Sequence, residues 1–304
     1  SKMAEKFLDS HRRHSICTAE GAEFDFLNPD PEIITLNSIA EGLSKASRYA
    51  GQTPGVFYCV VPETKILTYD LRWVDAGDLT TGDNLLAFDE ESFGHRDLRK
   101  WKRSTANVHG EVKRTLYKVC LSDGTEITCS EEHPLLTASS QGNNYIWKTA
   151  KELYEDVTLG VKNKYMRGRK QVKRYLPKFV NTWQEDTSKS AGWLEGMFDG
   201  EGTTSSKASR GSSLSIAQNP GPILDRLKAE LSVRGFDLHE SLTKQCRNLV
   251  IKGGASEQLR LLGSIRSERL RDTLLERLVG TGITRKGDKV EVISVECIGK
   301  GKVI

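Results

Sequence analysis

The chain contains no apolar run long enough to cross a bilayer. Its longest, such as Val56–Val61, falls far short of the roughly 20 residues a spanning helix needs. The start Ser1-Lys2-Met3-Ala4-Glu5-Lys6 leads into no apolar stretch with a small-residue cleavage site, which excludes a secretory signal in this sequence. No CxxC pair or zinc-type grouping occurs among Cys17, Cys59, Cys120, Cys129, Cys246 and Cys297. That spacing excludes a disulfide scaffold and leaves the thiols reduced, as in a cytoplasmic protein with no membrane partner. Nor is there a strong excess of either charge: 45 Lys+Arg against 41 Asp+Glu gives +4, so only the distribution of charge can speak for nucleic acid. No internal repeat is visible. What is present is ample apolar material, 37% of 304 residues, enough for more than one packed core.

Four zones follow along the chain. Residues 1–58 read as helix (Met3–Arg13), a turn at Asn28-Pro29-Asp30-Pro31, and a second helix over Ile33–Tyr49, with Leu36, Ile39, Ala40, Leu43 and Ala46 at three- and four-residue spacings. Residues 59–160 change to short β-rich runs, Lys65–Tyr69, Asn84–Phe88, Leu116–Leu121 and Thr125–Thr128, punctuated by Gly82-Asp83 and Asp123-Gly124. Residues 161–282 alternate helical stretches (Ala191–Phe198, Ile223–Val233, Arg269–Val279) with a strand-like Leu249–Lys252. Residues 283–304 return to strand alternation. A β module that resumes after a foreign α/β stretch is the pattern of an inserted domain, tolerated where two flanking strands still pair.

Two constellations carry chemistry. In Ser130-Glu131-Glu132-His133-Pro134 the S-x-x-H spacing aims one hydroxyl and one imidazole at a common point. The imidazole can protonate a departing amide nitrogen while the hydroxyl holds a carbonyl. A thiol such as Cys59 brought there can exchange an amide for a thioester; a lone cysteine or histidine is by itself more often structural. In Ala191–Gly202, Gly196 and Gly200 stand four apart and form a bare helical stripe that lets a second helix approach, with Leu194, Met197 and Phe198 around it. Gly202 ends that helix and leaves Glu201 at its C-terminal end. The bland reading is a solvated acid; the functional one is a Mg²⁺-binding carboxylate.

The run Cys59-Val60-Val61-Pro62-Glu63-Thr64-Lys65-Ile66-Leu67-Thr68 resembles the opening block of an intein, and Leu79–Leu85 resembles its continuation. Asp123–Leu136 is similar to the second splicing block, with Ser130 where threonine is commoner, and Val290–Val303 resembles the start of the penultimate block. The resemblance implies an all-β Hint module over 59–160 and 283–304. In it Cys59 attacks the Tyr58 carbonyl, aided by His133 and Ser130, and no cofactor is needed. The family's final His-Asn and following nucleophile are not in this sequence. The expectation is therefore that complete splicing needs a C-terminal segment supplied otherwise, by a longer chain or a second one.

Ala191–Gly202 resembles the LAGLIDADG motif of homing endonucleases, with Glu201 in the catalytic carboxylate place. One copy occurs. The resemblance implies an α/β endonuclease domain over 161–282 that acts on double-stranded DNA as a homodimer through the Leu194–Gly202 helix, with Mg²⁺ at Glu201. Just upstream, Lys162, Lys164, Arg167, Arg169, Lys170, Lys173, Arg174 and Lys178 form an acid-free basic run suited to a phosphate backbone; the alternative is a solvated linker. Arg96–Arg103 reads as a solvated loop or hairpin tip. Residues 1–58, with Glu20–Pro29 and Gly51–Tyr58, resemble the start of HD-domain phosphohydrolases, the host that the insertion interrupts. The expected whole is multidomain: a short α-helical host fragment, then an all-β module interrupted by an α/β one. Two other readings stay open, a DNA-binding nuclease on an inert β scaffold and an interrupted nucleotide phosphohydrolase.

Overall fold

A computed structural model describes residues 16–17, 23–24, 59–91, 99–139, 145–162, 168–207, 211–243, 246–283 and 288–304. The chain divides into two units, Ser1–Tyr58 and Cys59–Ile304. In the first, β1 (Ile16–Cys17) pairs antiparallel with β2 (Glu23–Phe24). The helices expected at Met3–Arg13 and Ile33–Tyr49, and Tyr58 itself, lie outside the described residues.

The second unit opens with a hairpin, β3 (Lys65–Leu67) and β4 (Trp73–Asp75), followed by β5 (Asn84–Phe88) and β6 (Arg99–Thr105). Next come β7 (Val112–Leu121), β8 (Glu126–Ser130), β9 (Pro134–Ser139), β10 (Tyr145–Thr149) and a short helix α1 (Ala150–Tyr154). Two small strands, β11 (Val161–Lys162) and β12 (Arg169–Lys170), lead to β13 (Arg174–Lys178). An α/β stretch follows: α2 (Lys189–Glu201), β14 (Gly202–Lys207), β15 (Gly211–Gln218), α3 (Pro222–Val233), β16 (Leu238–Thr243), β17 (Cys246–Ile251), α4 (Gly254–Ile265) and α5 (Glu268–Leu278). Finally β18 (Gly282–Ile283) and the long β19 (Asp288–Val303) return to β structure. The unit is mixed α and β with several separate sheets. Among the described residues no helix is long and apolar enough to cross a membrane.

The six-stranded sheet runs β10-β9-β13-β19-β7-β8. Its hairpin β7–β8 turns at Asp123-Gly124, where Gly124 takes φ +84° and the Thr125 amide donates to Asp123 Oδ1 at 3.1 Å, a turn that only the glycine makes without strain. Thr149 and Glu152 close a capping box at the start of α1. Strand β19 pairs along most of its length with β7, so the end of the sequence lies in the middle of the sheet.

In the four-stranded sheet β14-β15-β17-β16, period-two alternation separates two faces. Leu214, Ile216, Leu249 and Ile251 are buried with Leu194 and Phe198 of α2, Leu227 of α3 and Leu259 of α4. The other face, with cross-strand rows Thr203, Ser215, Val250, His239 and Ala217, Asn248, Ser241, carries no buried residue. The same core also takes in Leu67, Leu71, Leu86 and Trp101 from β3–β6, so one apolar core runs through the α/β stretch and the first hairpins. Two non-glycine residues at positive φ, Leu71 (63°) and Arg266 (60°), flank this join.

Two sequence expectations change. The zone from 161 is not wholly α/β, because β13 pairs with both β9 and β19; the helical part begins at Lys189. Arg96–Arg103 is not a solvated tip in its described part. Arg99–Thr105 is strand, and Arg99 is buried, donating to the Asp89 carbonyl at 3.0 Å and lying over the Trp147 ring. Trp101, two residues on, is also buried, so an alternating inward face was hidden behind the basic composition.

Candidate active site

Cys59 is the first residue of the second unit, and its side chain is only 6% exposed. The next residue anchors it. Val60 exchanges hydrogen bonds with Ile304 in both directions, 3.2 and 2.9 Å, and bridges to Cys129 in β8. Cys59 therefore sits where the end of β8 meets the continuation of β19, packed with Leu116 and Val303.

Ser130 and His133 converge on it. The Ser130 amide donates to the Cys59 carbonyl at 3.0 Å, and its hydroxyl favours the ionised form of the Cys59 thiol; Ser130 is almost wholly buried. The chain then turns, with the His133 amide on the Ser130 carbonyl at 3.1 Å and the Ala150 amide on the His133 carbonyl at 3.0 Å. This brings the imidazole to the main chain of Cys59. Burial pulls the His133 pKa down to about 4, with the hydrogen bond to Cys59 acting in the opposite sense. The ring is therefore neutral at neutral pH. Burial pushes the Cys59 thiol up; the Arg114 guanidinium and the Ser130 hydroxyl oppose that, and Glu132 adds to it.

Three neighbours escaped the sequence reading. His109 Nε2 lies 3.9 Å from Cys59 Sγ, Arg114 supplies the positive field, and Cys129 is a second buried thiol. Burial drives Cys129 up to about 12, so it is no nucleophile near neutral pH. No spacing signal marks His109; only the fold brings it to the sulfur. Tyr58 is outside the described residues.

The other predicted site residues separate into groups. Helix α2 is capped at its start by Ser188, whose hydroxyl accepts from the Ala191 amide at 3.2 Å. Ala191, Leu194 and Phe198 are buried in the chain's own core rather than arranged around the glycines. Gly196 and Gly200 lie on the exposed side, where a methyl group added to either would have nothing within 4 Å. At the other end Arg269 donates to the carbonyls of Phe198 (3.0 Å), Asp199 (2.6 Å) and Gly202 (2.8 Å), which satisfies the orphan acceptors of the last turn. Asp199 accepts from Ser267 Oγ at 2.6 Å, so Glu201 is left as the solvent-facing carboxylate. Among the described residues no three His, Cys, Asp or Glu gather as a metal set, and the one exposed carboxylate of a single chain does not by itself fit a Mg²⁺ site.

Of the basic run, Lys164, Arg167 and the Lys162 side chain lie outside the described residues, and Arg169 and Lys170 are exposed on β12. The remaining three are engaged. Lys173 meets Glu291 at 2.8 Å, Lys178 meets Asp123 at 2.8 Å, and Arg174 meets Asp156 at 2.7 Å. Asp156 also holds Lys148 at 2.8 Å. The Lys178 ammonium, against the opposing effect of burial, keeps the Asp123 carboxyl down at about 2. These cations tie β13 to its own unit.

Compared with known protein families and with curated protein sequences, the chain matches none.

Proposed function

We propose that the second unit is a Hint-type splicing module carrying a LAGLIDADG-like α/β insertion, and that its chemistry is an N-to-S acyl shift at the Tyr58–Cys59 bond. The observation that carries this reading is the convergence on Cys59 of Ser130, whose amide bonds its carbonyl, and of His133, at the main chain. In the shift, Cys59 Sγ loses its proton and attacks the Tyr58 carbonyl carbon. The S–C bond forms, the C–N bond breaks, and the Cys59 nitrogen leaves as an amine with one proton gained. In this reading His133, bonded to the main chain of the same residue, serves that nitrogen, and Ser130 steadies the residue being rearranged. The reciprocal Val60–Ile304 pair supports the reading further, because it sets the strand after Cys59 beside the continuation of β19. Complete splicing calls for a C-terminal segment beyond this sequence.

For the insertion, the reading is binding of double-stranded DNA by the uncovered face of the β14–β17 sheet, aided by Arg169 and Lys170. Cleavage then calls for a second copy apposed through α2, so that two Glu201 carboxylates meet.

Intact-mass analysis of the purified chain with dithiothreitol or hydroxylamine, beside Cys59→Ala, tests the first part. Thiol-dependent scission between Tyr58 and Cys59 in the unsubstituted protein only is the expected result. Scission that survives Cys59→Ala removes the reading. A chain that stays whole both alone and with an added peptide of the family's last block removes it as well.

A further inference from the structure

We propose that His109 is a catalytic residue of this site: it takes the proton from the Cys59 thiol. The proposal rests on the reading of Tyr58–Cys59 as the bond that is rearranged, and it adds a second imidazole with a task separate from that of His133.

The geometry divides the two rings. His133 bonds to the main chain of Cys59 in the sense that favours the charged ring, that of a ring N–H on the carbonyl. His109 meets the sulfur, Nε2 to Sγ at 3.9 Å, a separation within reach of a thiol hydrogen bond, and catalytic contacts of this kind shorten as the reaction proceeds. The other ring nitrogen sets the tautomer. His109 Nδ1 lies 3.1 Å from the Gly110 carbonyl oxygen, which can only accept, so Nδ1 carries a hydrogen, and in that tautomer the Nε2 lone pair faces the thiol.

The segment that carries His109 is pinned at both ends. Val108 donates from its amide to Thr81 Oγ1 at 3.0 Å, and the Thr81 hydroxyl returns a bond to the Val108 carbonyl at 3.4 Å. On the far side Glu111 pairs with Lys302 at 2.8 Å, next to the strand end that carries Val303 and Ile304. The ring is thus placed from both β19 and the loop before β5. The charged and titratable groups acting on the same thiol are Arg114 from β7, Ser130 from β8, and Glu132 on the turn that follows.

The proton count closes without an external reagent. The thiol proton passes to His109 Nε2, giving an imidazolium and a thiolate; the thiolate forms the S–C bond to Tyr58, and the C–N bond breaks. The Cys59 nitrogen collects one proton, so the number lost at sulfur equals the number gained at nitrogen and His109 returns to its neutral form.

The test uses the full chain. Rates of dithiothreitol-dependent scission are followed by intact mass for the unsubstituted protein and His109→Gln, at pH 7 and pH 10. Loss of a general base predicts a rate lower by about 100-fold at pH 7, with a smaller deficit at pH 10, where hydroxide competes for the thiol proton. An unchanged rate at pH 7, or an equal loss at both pH values, overturns the proposal, since misfolding would slow the reaction at either pH. A second measurement does not depend on scission: the long-range ¹H–¹⁵N spectrum of histidine rings at neutral pH. A proton on Nδ1 of His109, with an Nε2 shift that moves on Cys59→Ala, supports the contact; a proton on Nε2 overturns it. If the unsubstituted protein never cleaves while the spectrum shows the Nδ1–H form, the reading of the bond has failed and the base has lost its task, although its contact with the thiol stands.

Discussion

Arg266 clamps the turn between β3 and β4: its Nη1 donates to the Asp70 carbonyl at 3.0 Å, and its guanidinium stands 3.6 Å from the Asp70 carboxylate. Burial would raise the Asp70 carboxyl, but the Thr68 hydroxyl together with Arg72 and Arg266 holds it below the ordinary range. Leu71, next along the turn, is fully buried in the core that this hairpin shares with the helices. Both Leu71 and Arg266 hold left-handed backbone, which costs a non-glycine residue about 1 kcal/mol or more. Strain of that kind persists only where packing fixes it, and here it accompanies the packing of the hairpin that follows Cys59 onto the helices of the α/β stretch.

Leu71→Ala is therefore expected to destabilise the chain by about 2–5 kcal/mol, read from urea unfolding. Arg266→Ala loses the clamp and keeps the backbone strain, whereas Arg266→Gly loses the clamp and relieves it. The glycine variant should be the more stable of the two by about 1 kcal/mol. An alanine variant as stable as the glycine one would show that the left-handed turn does not constrain the join.

Stability should also depend on pH through His133. Its folded pKa, about 4, lies below the unfolded value of about 6.5, so between those values the unfolded chain binds a proton that the folded chain refuses. The contribution is fully present above about pH 6.5 and is lost as pH falls towards 4, on the order of 3 kcal/mol in all. His133→Gln should flatten that part of the stability–pH curve. An unaltered slope would mean that the ring is solvated enough to charge in place.

Alkylation should separate the thiols. Cys129, buried and driven up to about 12, is expected to resist iodoacetamide in the folded chain at pH 8 and to react once unfolded, whereas the exposed Cys297 reacts at once. Peptide mapping after a short pulse reads this directly. Early labelling of Cys129 would contradict its place behind Tyr117 and Val60.

Cations of the basic run should divide by partner. Arg169→Ala and Lys170→Ala, exposed on β12, are each expected to lower the slope of log affinity against log salt for duplex DNA by about 1. Asp156→Ala strands Arg174 and Lys148 and should cost about 3–5 kcal/mol of stability. Fluorescence anisotropy over a salt series, paired with urea unfolding, distinguishes these roles; a DNA effect confined to the residues paired with Asp156, Asp123 and Glu291 would reverse the assignment.

Glycines of α2 should also behave in opposite ways. Gly196→Ala and Gly200→Ala meet open space and are expected to gain up to about 1 kcal/mol each in helix propensity, while weakening any self-association of α2 in sedimentation velocity. Gly202→Ala places a methyl 2.5 Å from both Leu270 Cδ1 and the Phe198 carbonyl oxygen, and is expected to destabilise the chain by about 1–3 kcal/mol.

Much of the local structure was legible. Asn84–Phe88 is a strand with the predicted limits, and the helices around Ala191–Phe198, Ile223–Val233 and Arg269–Val279 differ only at their ends, because each is long enough for its period to speak. Ser130 and His133 were legible as a short local pattern, and the fold brings both to Cys59. His109 was not: 50 residues separate it from Cys59, and a lone histidine carries no period. The basic run misled for a related reason. The carboxylates that hold Lys173, Arg174 and Lys178 lie at Glu291, Asp156 and Asp123, far along the chain, so a composition window sees the cations without their partners.

The reciprocal Val60–Ile304 pair has a further consequence in polymer terms. A hydrogen-bonded antiparallel pair sets its two Cα atoms about 5.5 Å apart, so groups fused at the two ends of the second unit start as neighbours. No flexible linker is needed to bring them together, and each experiences the other at an effective concentration of the millimolar order or above. The sheet in that sense holds the two segments in proximity, and it does so through backbone groups rather than particular side chains.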